Sequence, residues 1–281
     1  MIGVFDSGFG GLTVLSSLLA RLPGYDYLYL GDSARAPYGT RSFETIYEFT
    51  RQAVEFLFAE GCPLVVLACN TASARALRNL QQHWLPQHHP DRRILGVVRP
   101  SAEALAGLPP GAVPGVTPPA PITGRVAVLA TPGTVASDSY RLELEKLAPG
   151  LTLVQLACPM FVPLVEAGEL DGPGVDVFAA RYLAPLHAAP PERLLLGCTH
   201  YPLLLPRIAA HAPRNTQILT QGPVVAERLA DWLDRHPEMR GRLGARGTRR
   251  FATTDDPVWF AAQGARILGQ EMTVERVRVT D

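Results

Sequence analysis

A chain of 281 residues is about twice the ~150-residue prior for one domain, so two domains with substantial cores are expected. Its 26 Lys+Arg balance 26 Asp+Glu, leaving no net field to draw in phosphate backbones or anionic membranes, and nucleic acid and lipid are poor first readings. Lys146 is the sole lysine, set between Glu145 and Leu147 in what reads as a surface helix, which argues against pyridoxal phosphate, a cofactor that needs a Schiff-base lysine.

Short Val/Ile/Leu runs alternate with segments of helical period, the pattern of an α/β protein with a parallel sheet. Ile2 to Phe5, Tyr27 to Leu30, Leu64 to Ala68 and Ile94 to Val98 read as the first four strands. Between them, Phe43 to Glu60 places Ile46, Phe49, Ala53 and Phe56 on one stripe and stops at Gly61, and Thr71 to Trp84 reads as a further helix. From Gly107 to Gly124, six prolines and four glycines deny both helix and central strand, so a loop or linker is expected. The alternation then resumes with strands at Arg125 to Ala130, Leu151 to Cys158 and Arg193 to Gly197 and a helix around Asp138 to Leu147. The tail carries a helix at Val224 to Arg235, a strand at Arg249 to Thr253 and a helix at Pro257 to Leu268, long enough to return to the first domain. The expected division is a discontinuous first domain, 1–97 plus 208–281, around a second at 98–207.

The same chain order hints at a repeat. A strand ending at Asp6 leads into Ser7-Gly8-Phe9-Gly10-Gly11, and 63 positions later a strand ends in Cys69-Asn70-Thr71. A strand ending at Thr131 leads into Pro132-Gly133-Thr134, and 67 positions later a strand ends in Cys198-Thr199-His200. Strand-to-helix turns favour Gly and Thr in any case, so chance competes evenly with duplication.

Four cysteines, Cys62, Cys69, Cys158 and Cys198, are too sparse for a disulfide framework and form no Cys-x-x-Cys pair, so no structural metal is expected and a reducing cytoplasm fits best. No apolar run approaches the ~18 residues of a membrane span, and Ile2-Gly3-Val4-Phe5 lacks the basic start of a signal peptide. Cys69 and Cys198 each follow an apolar run, at the carboxyl end of a strand, where open α/β sheets bind ligands and a following helix can lower a thiol pKa. A buried cysteine is usually only a small hydrophobe, and Cys62 and Cys158 are read that way. Two cysteines in one local setting shift the balance toward function.

Asp6 ends the first strand on that same edge, where a carboxylate is costly to bury; the alternative is a cap for the helix starting near Gly11. The glycine turn after it matches neither the dinucleotide fingerprint nor a phosphate loop, though its N–H groups suit a small anion. His200 stands out from seven histidines because it lies two residues after Cys198, whereas His83, His88 and His89 look solvated. Asp32 and Pro37-Tyr38-Gly39 follow the second strand, another carboxyl end, with a plain proline turn as the alternative.

Asp6-Ser7-Gly8-Phe9-Gly10-Gly11, Gly31-Asp32, Pro37-Tyr38-Gly39, Cys69-Asn70-Thr71-Ala72 and Gly197-Cys198-Thr199-His200-Tyr201-Pro202 together resemble the glutamate racemases, in order and over nearly the whole chain. Phe251-Ala252-Thr253-Thr254-Asp255-Asp256 is also similar to that family, and the Thr-His after the second cysteine resembles its glutamate rather than its aspartate branch. The resemblance implies two pseudosymmetric α/β domains with mostly parallel sheets and glutamate bound in the cleft between them. It implies cofactor-independent interconversion of L- and D-glutamate, feeding peptidoglycan synthesis in the cytoplasm, with no metal and with a homodimer as the partner arrangement. By the same resemblance Cys69 and Cys198 are the two bases, Cys69 acting on the D enantiomer and Cys198 on the L, with Asp6 and His200 assisting. Ser7, Tyr38, Gly39, Asn70, Thr71, Thr131, Thr134 and Thr199 are implied to bind substrate along with Asp6 and His200, and Asp32 and Glu166 to support the site.

Arg99-Pro100-Ser101 departs from the family pattern, as does the long proline-rich loop, which bears on interdomain motion and regulation. Three other readings stay open from the residues: an aspartate or other amino-acid racemase, a thiol hydrolase built on Cys198 and His200, and a noncatalytic amino-acid-binding protein.

Overall fold

The structure is a computed structural model and describes residues 1–112, 122 and 124–279. Most of the proline-rich segment, positions 113–121 and 123, therefore lies outside the described residues. The strands, in chain order, are β1 (Ile2–Asp6), β2 (Tyr27–Gly31), β3 (Leu64–Leu67), β4 (Arg93–Gly96), β5 (Arg125–Ala130), β6 (Thr152–Ala157), β7 (Arg193–Gly197), β8 (Gln217–Thr220), β9 (Arg249–Thr253) and β10 (Val274–Arg276). They form two sheets in which every pairing is parallel. The first runs β10-β9-β2-β1-β3-β4 and the second β6-β5-β7-β8.

The repeat is visible in that order. In the first sheet β2-β1-β3-β4 follows the same path as β6-β5-β7-β8 in the second, so β1 corresponds to β5 and β3 to β7. Both sheets reverse direction of strand addition between those two members, and the crevice that opens at such a switch point is where α/β sheets place ligands. The two sheets thus carry equivalent crevices: Asp6 and Cys69 flank one, Thr131 and Cys198 the other.

Every residue of β1, β2 and β3 is buried, because helices cover both faces of these central strands. Each fully buried Val or Leu there contributes roughly 1.5–3 kcal/mol relative to leaving it in water. The Phe43–Ala59 helix starts on a side-chain cap, Ser42 accepting the Thr45 N–H, and stops before Gly61, whose φ of 84° suits a residue without a Cβ.

The strand expected at Ile94 to Val98 ends at Gly96, Val98 instead opening a helix to Leu105, and three further features depart from the sequence reading. The helix expected from Thr71 to Trp84 begins at Asn70 and carries a wide π turn at Leu80–Trp84. Pro86 follows immediately; it cannot donate to the carbonyl four residues back and its ring crowds that turn, which accounts for the widening. A helix at Pro173–His187 escaped notice, its start hidden by Gly172 and Gly174 and its end by an internal Pro185. The third concerns the domain limits. Strand β8 pairs with β7, so residues 208–220, expected to belong with the first domain, continue the second sheet instead. The chain returns at Gln221, which opens the Gln221–Arg235 helix against the Leu12–Arg21 helix of the first sheet.

Lys146 is exposed on the Ser139–Leu147 helix, paired with Glu143 at 2.9 Å.

Candidate active site

Asp6, Cys69, Thr131 and Cys198 sit at or just past the carboxyl ends of β1, β3, β5 and β7, and the crevices of the two sheets face each other. Cross-sheet contacts make this one site. Thr199, after Cys198, donates its hydroxyl to Asp6 Oδ1 at 3.2 Å, and Thr71, after Cys69, lies 3.0 Å from the Thr131 hydroxyl and 3.5 Å from that of Thr134.

Around Cys198 the partners form a chain. His200 Nδ1 lies 4.0 Å from the Cys198 sulfur, and its Nε2 lies 2.7 Å from Glu166 Oε1. Burial alone would favour the neutral ring, but hydrogen bonds to Cys198 and Glu166 outweigh it and push the His200 pKa up to about 10. The imidazole is therefore held charged through neutral pH. Phe9 packs edge-on against the ring at 5.2 Å, and Gly10 lies so close that a Cβ there would stand 2.6 Å from His200 Nδ1. The glycine turn thus serves close approach rather than a phosphate.

Cys69 lies in a different field. Burial, joined by the negative charge of Asp6, pushes its thiol up to about 12, against weaker help from the Ala72 N–H and the Ser7 hydroxyl 3.6 Å away. Asp6 is fully buried and accepts the Gly8 N–H at 3.0 Å; burial raises its own pKa, opposed chiefly by the charge of His200. Asp6 was expected to assist Cys69. Its hydrogen bonds run to Gly8, Gly11 and Thr199, so it reaches Cys69 through its charge and is bonded directly to the residue beside the other cysteine.

The hydroxyls of Thr71, Thr131 and Thr134 form a triangle, with Thr131 and Thr134 3.1 Å apart and the Thr131 side chain capping the short Pro132–Ala136 helix. Tyr38 and Gly39, after β2, face this triangle from the first half. Tyr38 donates to Asp32, which also accepts from Arg35 Nε at 2.7 Å and Thr254 Oγ1 at 2.9 Å, and Gly39 meets Gly133. Desolvation raises the Asp32 pKa despite those donors. Asn70 is held by Gln221 and Tyr140.

The sequence candidates therefore converge, with Asp32 and Glu166 one contact behind Tyr38 and His200. The residues missed are Gly133, Arg35, Thr254, Tyr140, Ser101 and Gln221. Thr254 lay in a segment noted only as similar to the family, and a lone Gln or Tyr carries no spacing signal. Among the described residues no group of three His, Cys, Asp or Glu could hold a metal. Cys69, Cys198, Asp6 and Thr134 are all nearly inaccessible, so the two walls are closed on one another. A cavity of about 640 Å³ lies behind the Asn70–Arg75 helix, but the candidate site residues do not line it. Its arginines are spoken for: Arg99 and Arg228 bind Glu103, and Arg75 donates to the Gly133 carbonyl.

Residues 2–228 match the family described as Asp/Glu/hydantoin racemase. A glutamate racemase of Paracoccus denitrificans is 42% identical over 276 residues, 98% of each chain. Among solved structures, a glutamate racemase isoform from Bacillus anthracis superposes with a TM-score of 0.86 at 33% identity, covering 99% of this chain and 97% of that one. The glutamate racemase of Francisella tularensis, solved with D-glutamate, does so with a TM-score of 0.84 at 30% identity and the same coverage.

Proposed function

Since the chain belongs to the Asp/Glu/hydantoin racemase family and acts as an isomerase, a glutamate racemase, we propose that it moves the Cα proton between two thiols, Cys69 and Cys198, without a cofactor. The observation that carries this is the pair of equivalent crevices, each ending in a buried cysteine and joined to the other by Asp6–Thr199 and Thr71–Thr131. The one lysine, exposed on a surface helix, is no candidate for a Schiff base.

One sulfur, as thiolate, takes the Cα proton from one face of glutamate while the other, as thiol, gives a proton to the opposite face. The electron pair left at Cα passes through a carbanion-like state that the α-carboxylate must help to spread. The Thr71, Thr131 and Thr134 hydroxyls are the donors placed for a carboxylate, and they act in a closed, water-poor site where each is worth more than in solution. His200, its pKa raised by its hydrogen bonds to Cys198 and Glu166, is the counter-charge for a thiolate at Cys198. Cys69 has no such partner among the described residues and rests as a thiol, the form needed to protonate the carbanion formed from L-glutamate. For the reverse reaction the substrate ammonium group brings the missing positive charge to Cys69. Ser7, Tyr38, Gly39, Asn70 and Thr199 complete the substrate wall, with Asp32 fixing Tyr38.

We place the D-glutamate product in peptidoglycan synthesis in the cytoplasm, with a homodimer as the assembly and a division into 1–97 plus 221–281 and 98–220. Among the described residues no helix is long and apolar enough to cross a membrane. The test is proton NMR of L-glutamate and of D-glutamate with the protein in deuterium oxide, no cofactor added. The Cα signal should vanish from both and the enantiomers converge to equal amounts. A requirement for added pyridoxal phosphate or metal would overturn the two-thiol reading.

A further inference from the structure

We propose that Gln221, together with Tyr140, is a positioning residue that fixes the Asn70 amide in the orientation that meets the substrate, an inference that rests on Asn70 being a substrate-binding group. Asn70 is the residue after Cys69 and opens the helix behind it. Its side chain and that of Gln221 exchange hydrogen bonds as a closed amide pair: Asn70 Nδ2 donates to Gln221 Oε1, and Gln221 Nε2 donates back to Asn70 Oδ1 at 3.0 Å. Tyr140 donates its hydroxyl to the same Asn70 Oδ1 at 2.7 Å, while Gln221 Nε2 also lies 2.9 Å from Ser101 Oγ and 3.1 Å from the Tyr140 oxygen.

An asparagine amide offers two acceptor sites and two N–H groups. Tyr140 and Gln221 take both acceptor sites and one N–H of Asn70, leaving the second N–H, among the described residues, as its free donor. Turning that amide by half a rotation would set Asn70 Nδ2 against the Gln221 N–H groups, leaving facing donors unpaired away from the surface. Asn70, Ser101, Tyr140 and Gln221 are each no more than 2% exposed, so solvent does not compensate. An apolar joint could be as stable; what a satisfied polar network adds is one defined geometry.

The network also joins the two halves. Ser101 and Tyr140 lie on helices that pack with the second sheet, and Asn70 follows β3 of the first. Gln221 stands where the chain leaves β8 for the helix that covers the first sheet. The Asn70 amide is thus set by groups drawn from both halves of the molecule.

The test is steady-state kinetics with both enantiomers for Tyr140→Phe and Gln221→Met, each alone and combined with Asn70→Ala. Each single change should raise KM roughly tenfold with kcat altered less than about threefold, the scale of one lost buried hydrogen bond, and should add nothing once Asn70→Ala is present. An unchanged KM in both singles, or a rise that persists in the Asn70→Ala background, overturns the inference. An unchanged KM in Asn70→Ala itself overturns the reading of Asn70 and this inference with it, so the two failures are distinguishable. Tyr140→Phe keeps the ring in the core and carries the test alone should Gln221→Met not fold.

Discussion

The N–H of Gly133 donates to the carbonyl of Gly39 at 2.9 Å, a main-chain bond between the turn after β5 and the loop after β2, and so between the two walls of the site. A Cβ at Gly133 would stand 2.8 Å from the Gly39 carbonyl oxygen, and one at Gly39 would stand 2.9 Å from Thr131 Cβ. The walls close because neither residue has a side chain.

Gly133→Ala or Gly39→Ala should hold the walls apart and disturb the Thr131 hydroxyl. The expected outcome is a rise of roughly tenfold or more in KM with a loss of stability near 1–3 kcal/mol, the scale of overpacking. Kinetics and thermal melts of the two variants check this; wild-type KM in both would show that the walls close without this contact.

Cys69→Ala and Cys198→Ala should each abolish racemisation but leave one base on one face. A glutamate analogue with a leaving group on its amino nitrogen should eliminate from the D form when Cys69 remains and from the L form when Cys198 remains. Racemisation near the wild-type rate in either variant contradicts two-thiol catalysis, whereas reversed handedness overturns only the assignment of faces.

Hydrogen bonds to Cys198 and Glu166 push the His200 pKa up from 6.5 to about 10, so the stabilisation its charge contributes is full below about pH 6.5 and is lost as pH rises through that raised value. Glu166→Gln removes one of the groups that raise it. The His200 midpoint, followed by NMR of its ring proton, should move toward neutrality, and the difference in Tm between wild type and variant should shrink above pH 10. A midpoint unmoved by the substitution would show that Glu166 is not its counter-charge.

The Cys69 thiol, pushed up to about 12 by burial and by Asp6, should resist alkylation by iodoacetamide at pH 8 in the substrate-free protein, since the thiolate is the nucleophile. Mass spectrometry of digested protein reads the modified site. Rapid modification of Cys69 at pH 8 would mean that the resting site supplies a positive charge from elsewhere.

Much of this was legible because central parallel strands are apolar on both faces: Ile2–Asp6, Tyr27–Gly31 and Arg193–Gly197 read as continuous runs, and what ends such a run stands in the crevice. Strand β8 was not legible. It is four residues on an edge, without a fully buried position, and Gln217-Ile218-Leu219-Thr220 resembles any loop. The cysteines, Asp6 and His200 carried a local signal in their neighbours. Gln221 carried none, since an amide acquires meaning only from what it meets 151 positions away. That Asp6 accepts from Thr199 was hidden for the same reason: the family resemblance implies only that it assists Cys69, and the bond to Thr199, 193 positions away, exists because the crevices face each other.

The lone lysine also makes the molecule a convenient reporter. All four cysteines are buried, while Lys146 presents the one side-chain amine, exposed on the second half. An amine-reactive fluorophore would attach there among the side chains, and Trp84, Trp232 and Trp259, all on the first half and the last meeting Phe9 at 5.5 Å, provide the intrinsic donors. Energy transfer between them would follow the approach and separation of the halves during turnover without any engineered label site.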